Sequence, residues 1–170
     1  AMQLEDVFSL RWVTSPIVDA AGERIYYLRN SMDIMSDRRR ANLWVVGADG
    51  GEHRPLTTGP RSVSHPALSP DGSRIAFVDR DDAGSQIFLR WTDGSAMAQL
   101  TRTAEAPRDL AWSPDGNWIA FAMRVPVEPP TMGELPKAPR GADWAPPPVV
   151  VDRLVYRNDG SGPRPEAFYQ

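Results

Sequence analysis

The side chains that could do chemistry in this chain are few. It has two histidines, His53 and His65, and no cysteine, so disulfides and thiolate chemistry are excluded. Zinc sites draw on several His or Cys ligands, and two histidines alone make one improbable on supply. No cofactor or metal is expected. A serine nucleophile on a strained strand-to-helix turn carries the pattern Gly-x-Ser-x-Gly. The chain has none, because Gly94-Ser95 and Gly160-Ser161-Gly162 lack the spacing and read as turns. Two histidines make a Ser-His-Asp triad arithmetically possible. Neither has an identifiable positioned partner, so no catalytic residue is assigned. Three groups are suited to holding a ligand. Arg38, Arg39 and Arg40 form a basic run fitted to a carboxylate or to a charged protein surface, although a solvated loop is the plainer reading. Glu128 and Glu134 are suited to a cationic amine, or simply to loop solubility. Trp144 offers an apolar plate for a ligand or a neighbouring domain, or anchors its own loop.

What positions these groups is a repeat. Pro16 to Tyr27, Pro66 to Phe77 and Leu110 to Phe121 align, with the turn glycines at 22, 72 and 116, spaced by 50 and then 44 residues. A second element follows at an offset of 44: Leu43-Trp44-Val45-Val46, Asp49-Gly50 and Leu56-Thr57 match Ile87-Phe88-Leu89, Asp93-Gly94 and Leu100-Thr101. A period in the forties with several short strands per unit is the signature of propeller blades. Helical repeats would place apolar residues at i, i+3, i+4 and i+7, and these segments do not. The fold class expected is therefore all-β: a partial β-propeller of about three four-stranded antiparallel blades. The blades run over about 15–60, 61–104 and 105–170.

The second unit is the clearest. Ser64 to Leu68 reads as its first strand and Ser69-Pro70-Asp71-Gly72 as a tight turn, with Pro presetting φ at the second position. Arg74 to Asp79 is the second strand, Gln86 to Trp91 the third and Ala96 to Thr101 the outermost. Ile75-Ala76-Phe77-Val78 is apolar on both faces, as a strand between stacked sheets must be. Asp71, Asp93, Asp115 and Asp159 precede glycine and read as turn residues, not calcium ligands. Trp12, Trp44, Trp91, Trp112 and Trp118 read mostly as packing between blades. The third unit begins in the same way and then meets an insertion over 125–148, in which eight of 24 residues are proline. Proline cannot donate to a ladder, so this is a long loop. Val149-Val150-Val151 and Leu154-Val155-Tyr156 resume the strand pattern, and Asn158 to Gly162 reads as a turn.

Hydrophobic residues at 41% and charged residues at 24% give a globular balance over 170 residues. A net charge of −3 gives no sign of nucleic-acid or membrane binding. No apolar run approaches the roughly 18 residues that span a bilayer. Ala1 ahead of Met2 reads as a residue left by a cleaved tag, and Met2 to Asp6 as a cytoplasmic start. Propellers close with roughly 4–8 blades, so three units are expected to be a fragment, and exposed blade faces invite self-association.

The Ser69 to Phe77 and Trp112 to Phe121 repeats resemble those of TolB-type and prolyl oligopeptidase-type propellers. The segment Val149 to Gly162, with Tyr156-Arg157-x-Asp159-Gly160, resembles acylaminoacyl-peptidase-like members of the prolyl oligopeptidase family, as does the opening Leu4-Glu5-Asp6-Val7-Phe8. That resemblance implies a serine peptidase in which a propeller precedes an α/β-hydrolase domain and restricts access to short peptides. The hydrolase domain would lie beyond residue 170, and this chain alone would be inert. Short peptide substrates and that domain would be the partners. Arg38 to Arg40 would then meet a peptide carboxylate or the hydrolase domain, and Glu128 and Glu134 a peptide amino terminus. A non-enzymatic TolB-type binding module is the alternative, although such proteins normally carry a signal peptide for the periplasm. A sugar-active propeller would need a catalytic carboxylate pair, and none is evident.

Overall fold

The computed structural model describes residues 3–81, 84–125, 137–145, 157–158 and 162–163. Two compact units divide the chain, Ala1–Met123 and Arg124–Gln170. The first opens with a 3₁₀ turn, Leu4–Ser9, and continues as antiparallel sheet. Strands β1 (Arg11–Val18), β2 (Arg24–Asp33), β3 (Arg38–Gly47) and β4 (Arg54–Pro55) form one four-stranded meander in sequence order. Strands β5 (Ser64–Leu68), β6 (Arg74–Asp81), β7 (Gly84–Trp91) and β8 (Met97–Gln99) form a second. Strands β9 (Arg108–Trp112) and β10 (Ile119–Ala122) pair as a third, two-stranded sheet. In the second unit, β11 (Arg157–Asn158) pairs antiparallel with β12 (Gly162–Pro163). The all-β, antiparallel reading holds. The expected strands at 149–151 and 154–156 lie outside the described residues.

The turn between the first two strands is the same device three times. Gly22, Gly72 and Gly116 donate to the carbonyls of Asp19, Ser69 and Ser113 at 3.0, 2.9 and 2.9 Å. Each glycine has a left-handed φ of about +70°, which a Cβ would oppose. The side chain opening each turn also caps the strand that follows. Asp19 Oδ1 accepts from the Glu23 and Arg24 amides, Ser69 Oγ from Arg74, and Ser113 Oγ from Trp118. Within the second turn, Asp71 accepts from the hydroxyls of Ser69 and Ser73 and from the Ser73 amide.

A matching irregularity interrupts each first strand. Thr14 pairs with Leu28 and Ile17 with Tyr26, so β1 carries one residue more than β2 across that interval. The same extra residue appears in β5, between Ser64 and Ala67, and in β9, between Arg108 and Ala111. Ser15, His65 and Asp109 sit at these bulges with φ of +54°, +48° and +54°. None is glycine, so each holds a conformation costing about 1–2 kcal/mol for an L-residue.

The outer strands are shorter than the sequence pattern suggests. β8 spans Met97–Gln99 rather than 96–101, because side chains take over from the ladder. Thr57 Oγ1 accepts the Leu43 amide and donates to Asn42 Oδ1; Thr101 Oγ1 accepts the Ile87 amide and donates to Gln86 Oε1. The hydroxyl thus closes the outer edge onto the third strand in both four-stranded sheets.

The core lies between the first two sheets. Tyr26, Leu28, Leu43 and Val45 face Ile75 and Phe77, with Leu56 and Val63 from the connecting segments, and all are at most 4% exposed. Ala76, Val78, Ile87 and Leu89 are buried on the opposite face of the second sheet, so β6 is enclosed on both sides. On that side β9 packs against β5 and β6, with the Trp112 indole donating to the Ala67 carbonyl at 2.9 Å beneath the Arg74 guanidinium. Trp118 departs from the packing expected of most tryptophans here: just ahead of β10, it is 75% exposed.

Two outcomes follow from this arrangement. Phe77 is fully buried and stacked on Phe88 at 6.1 Å, so Phe77→Ala should lower the unfolding free energy by about 3–5 kcal/mol in urea titrations. The Asp71 carboxyl is held down at about 2 by the hydroxyl bond from Ser69 and then those from Ser73. A depressed carboxyl stabilises the fold above its unfolded pKa near ~3.9, and the contribution is lost as pH falls toward the folded value. The urea midpoint should therefore drop more steeply between pH ~4 and ~2 in the parent chain than in Asp71→Ala.

Candidate substrate-facing surface

The basic run lies on a strand, not in a loop. Arg38, Arg39 and Arg40 open β3 and pair with Asp33, Met32 and Ser31 of β2. The β2–β3 hairpin has ten register pairs where β6–β7 has eight, so the longer spacing of the first unit is spent on extending this hairpin. Its tip is ordered by Asp33, which accepts from the Met35 amide, the Ser36 hydroxyl and the Arg40 guanidinium. The Ser36 hydroxyl, then Arg40 and the Met35 amide, lower the Asp33 pKa below the usual carboxylate range. Arg40 is committed, because it also donates to the Pro60 carbonyl at 3.0 Å. Arg38 and Arg39 are exposed, with no side-chain partner among the described residues. Beside them Ile34 and Met35 are 64% and 90% exposed. The hairpin therefore presents two uncommitted cations and two exposed apolar side chains at its end.

Trp144 belongs to the second unit, is half exposed, and follows a turn in which the Ala142 amide donates to the Pro139 carbonyl at 3.0 Å. Glu128 and Glu134 lie outside the described residues. The three arginines are consecutive on β3, so Arg39 projects from the face opposite to Arg38 and Arg40.

No hydrolytic centre is assembled among the described residues. The His53 ring packs 5.1 Å from Trp44 and bonds the Tyr27 hydroxyl. His65 Nδ1 accepts the Asp109 amide at 3.3 Å and lies 3.7 Å from the Asp109 carboxylate. Ser15, at the equivalent bulge, makes no hydrogen bond to either. Three bulges therefore carry a serine, a histidine and an aspartate, and only the last two touch. Sequence reasoning did not single out this row. The signal was available, since each residue stands seven positions ahead of its turn glycine. No group of three or more His, Asp or Glu gathers to hold a metal among the described residues. No helix among them is long and apolar enough to cross a membrane.

No family model matches the chain. Among curated proteins it is 28% identical over 167 residues to an uncharacterized peptidase, YuxL, of Bacillus subtilis. The match takes 98% of this chain and 25% of the relative, so the chain spans about a quarter of that protein. A shorter match, 33% identical over 36% of the chain and 14% of the relative, is to the Tol-Pal system protein TolB of Sodalis glossinidius. Among solved structures, uncomplexed Pyrococcus horikoshii acylaminoacyl peptidase superposes with a TM-score of 0.67 at 16% identity, over 94% of this chain and 22% of that one. The β-propeller domain of the Trilobed protease from Pyrococcus furiosus gives 0.54 at 17% identity, over 65% and 33%. These superpositions show the fold. The Bacillus match makes the chain similar, along nearly its whole length, to part of a peptidase.

Proposed function

We propose that this chain is the leading propeller portion of a serine peptidase of the acylaminoacyl or oligopeptidase type, and that it gates and positions short peptides for an α/β-hydrolase domain elsewhere in the same protein. The observation that carries the reading is the peptidase match along 98% of the chain and only a quarter of the relative. A piece that size, all-β and without an assembled nucleophile among its described residues, supplies access and orientation rather than bond cleavage. Arg38 and Arg39, uncommitted on the hairpin arm, are the groups best suited to a peptide carboxylate or an acidic surface of the hydrolase domain. About three blades, a cytoplasmic setting and self-association of the isolated chain through its open faces complete the proposal. Exposed apolar side chains there include Val13 and Val18 of β1, which share one face of the first sheet, and Trp118 beside β10. Light scattering on the isolated chain should show species larger than a monomer.

A second reading, a TolB-type binding module without catalysis, has the support of the TolB match over 36% of the chain. The two readings separate on the complete protein. On the first, it hydrolyses a blocked short peptide, a serine-directed inhibitor abolishes turnover, and the 170-residue chain alone shows none. Deleting these residues should then raise the relative rate on long, folded substrates. A complete protein with no inhibitor-sensitive turnover would leave the binding module standing instead.

A further inference from the structure

Two side-chain bonds join β5 of the second sheet to β9 of the third. In one, the Trp112 indole donates to the Ala67 carbonyl at 2.9 Å. In the other, the Asp109 amide donates to His65 Nδ1 at 3.3 Å. The two differ in kind. An indole N–H and a carbonyl keep their roles at any ordinary pH. A backbone amide can only donate, so the second bond needs a lone pair on Nδ1 and leaves the ring proton on Nε2. A proton added to Nδ1 turns that acceptor into a donor, and two N–H groups then face each other. A second acceptor stands beside them: Asp109 Oδ1 lies 3.7 Å from the same nitrogen. One residue thus offers an amide to the neutral ring and a carboxylate to the charged one. Both residues sit at bulges, with φ of +48° and +54°, and a backbone held in that region can relax when its bond is released. The other charged groups nearby are spent or point elsewhere. Arg108 of β9 lies 3.7 Å from the far carboxylate oxygen, Asp109 Oδ2. On β6, Asp79 is taken by Arg61, Arg74 by the Gly116 carbonyl and the Trp112 ring, and Arg80 and Asp81 run past the end of β5. The charged residue of β1, Arg11, donates to the Phe8 and Leu10 carbonyls.

We infer that His65 is a proton-operated latch between the second and third sheets. Uncharged, its Nδ1 grips the Asp109 main chain; charged, it releases the main chain and turns to the Asp109 carboxylate. The proton comes from solvent and returns to it, since the His65 side chain is 40% exposed. The Trp112 bond does not titrate, so on the acid side β9 stays anchored at Trp112 and is regripped at Asp109 through a side chain instead of the backbone. The inner edge between the two sheets is therefore looser below the transition. The latch does not rest on the peptidase reading, because both partners belong to this chain.

Amide and imidazole NMR spectra of the 170-residue chain, taken from pH ~8 to ~5 where histidine titrates, test the latch. Two histidines allow each ring to be followed separately. As His65 takes its proton, the Asp109 amide proton should move upfield. Its exchange, corrected for the intrinsic effect of pH, should quicken about two- to tenfold, as the loss of one hydrogen bond implies. His65→Asn keeps a residue type that tolerates left-handed φ and removes the titration, so it should abolish both changes while His53 still titrates. Asp109→Gly keeps the amide and suits the left-handed φ, but removes the carboxylate. Its loss of protection across β9 on acidification should exceed the parent's by about two- to fivefold, as the loss of an exposed ion pair implies. Circular dichroism of each variant establishes that it is folded. An Asp109 amide that does not follow the His65 ring, or that still titrates in folded His65→Asn, would overturn the inference. So would an acid-side loss in Asp109→Gly no greater than the parent's.

Discussion

The enclosure of β6 on both faces is the constraint from which the rest of the first unit follows. Ile75 and Phe77 point toward the first sheet, Ala76 and Val78 toward the third, and each is at most 4% exposed. A strand buried on both sides cannot tolerate a register slip, because shifting it by one residue exchanges the two faces. It also fixes the spacing of its neighbours, since packed sheets stand about 10 Å apart. The first sheet answers with Tyr26, Leu28, Leu43 and Val45, while β9 answers on the other side with the Trp112 indole bound to the Ala67 carbonyl.

Around this apolar frame, the polar residues repeat as faithfully as the hydrophobic ones. The capping side chain changes from Asp19 to Ser69 and Ser113, yet each accepts from an amide four or five residues on. Thr57 and Thr101 each clasp an outer edge to the amide of the third strand. Links between sheets use arginine: Arg54 to the Thr92 carbonyl, Arg74 to the Gly116 carbonyl, and Arg61 to the buried Asp79. Near-exclusive use of arginine over lysine suits this role, because a planar fork reaches a carbonyl or carboxylate without losing its charge.

Much of this was legible in the residues, and what was hidden was hidden for physical reasons. Glycines at 22, 72 and 116 punctuate the chain because only a residue without Cβ sits easily at φ near +70°. The run Ile75 to Val78 announced a strand with two buried faces. The bulges gave no such sign: Ser15, His65 and Asp109 are types that strands and loops both use, and their left-handed φ is imposed by the surrounding ladder. Arg38 to Arg40 read naturally as a solvated loop, because charge is what loops carry. Their strand character comes from pairing with β2, which no local propensity encodes. Trp118 was grouped with tryptophans that mostly pack between blades, but it lies just ahead of β10, beside a sheet with two strands among the described residues, and is exposed.

A propeller-type portion serves a peptidase only if its sheets hold one another rigidly, so that a hairpin arm keeps its place. Native-state hydrogen exchange measures this directly. If face-to-face packing organises the unit, the core amides of β2, β3, β6 and β7, such as Leu28, Leu43, Phe77 and Ile87, open with one common free energy, and added urea lowers them together. Exchange of the β2–β3 amides at an opening free energy well apart from that of β6–β7 would mean that the two sheets fold independently, and would contradict the account.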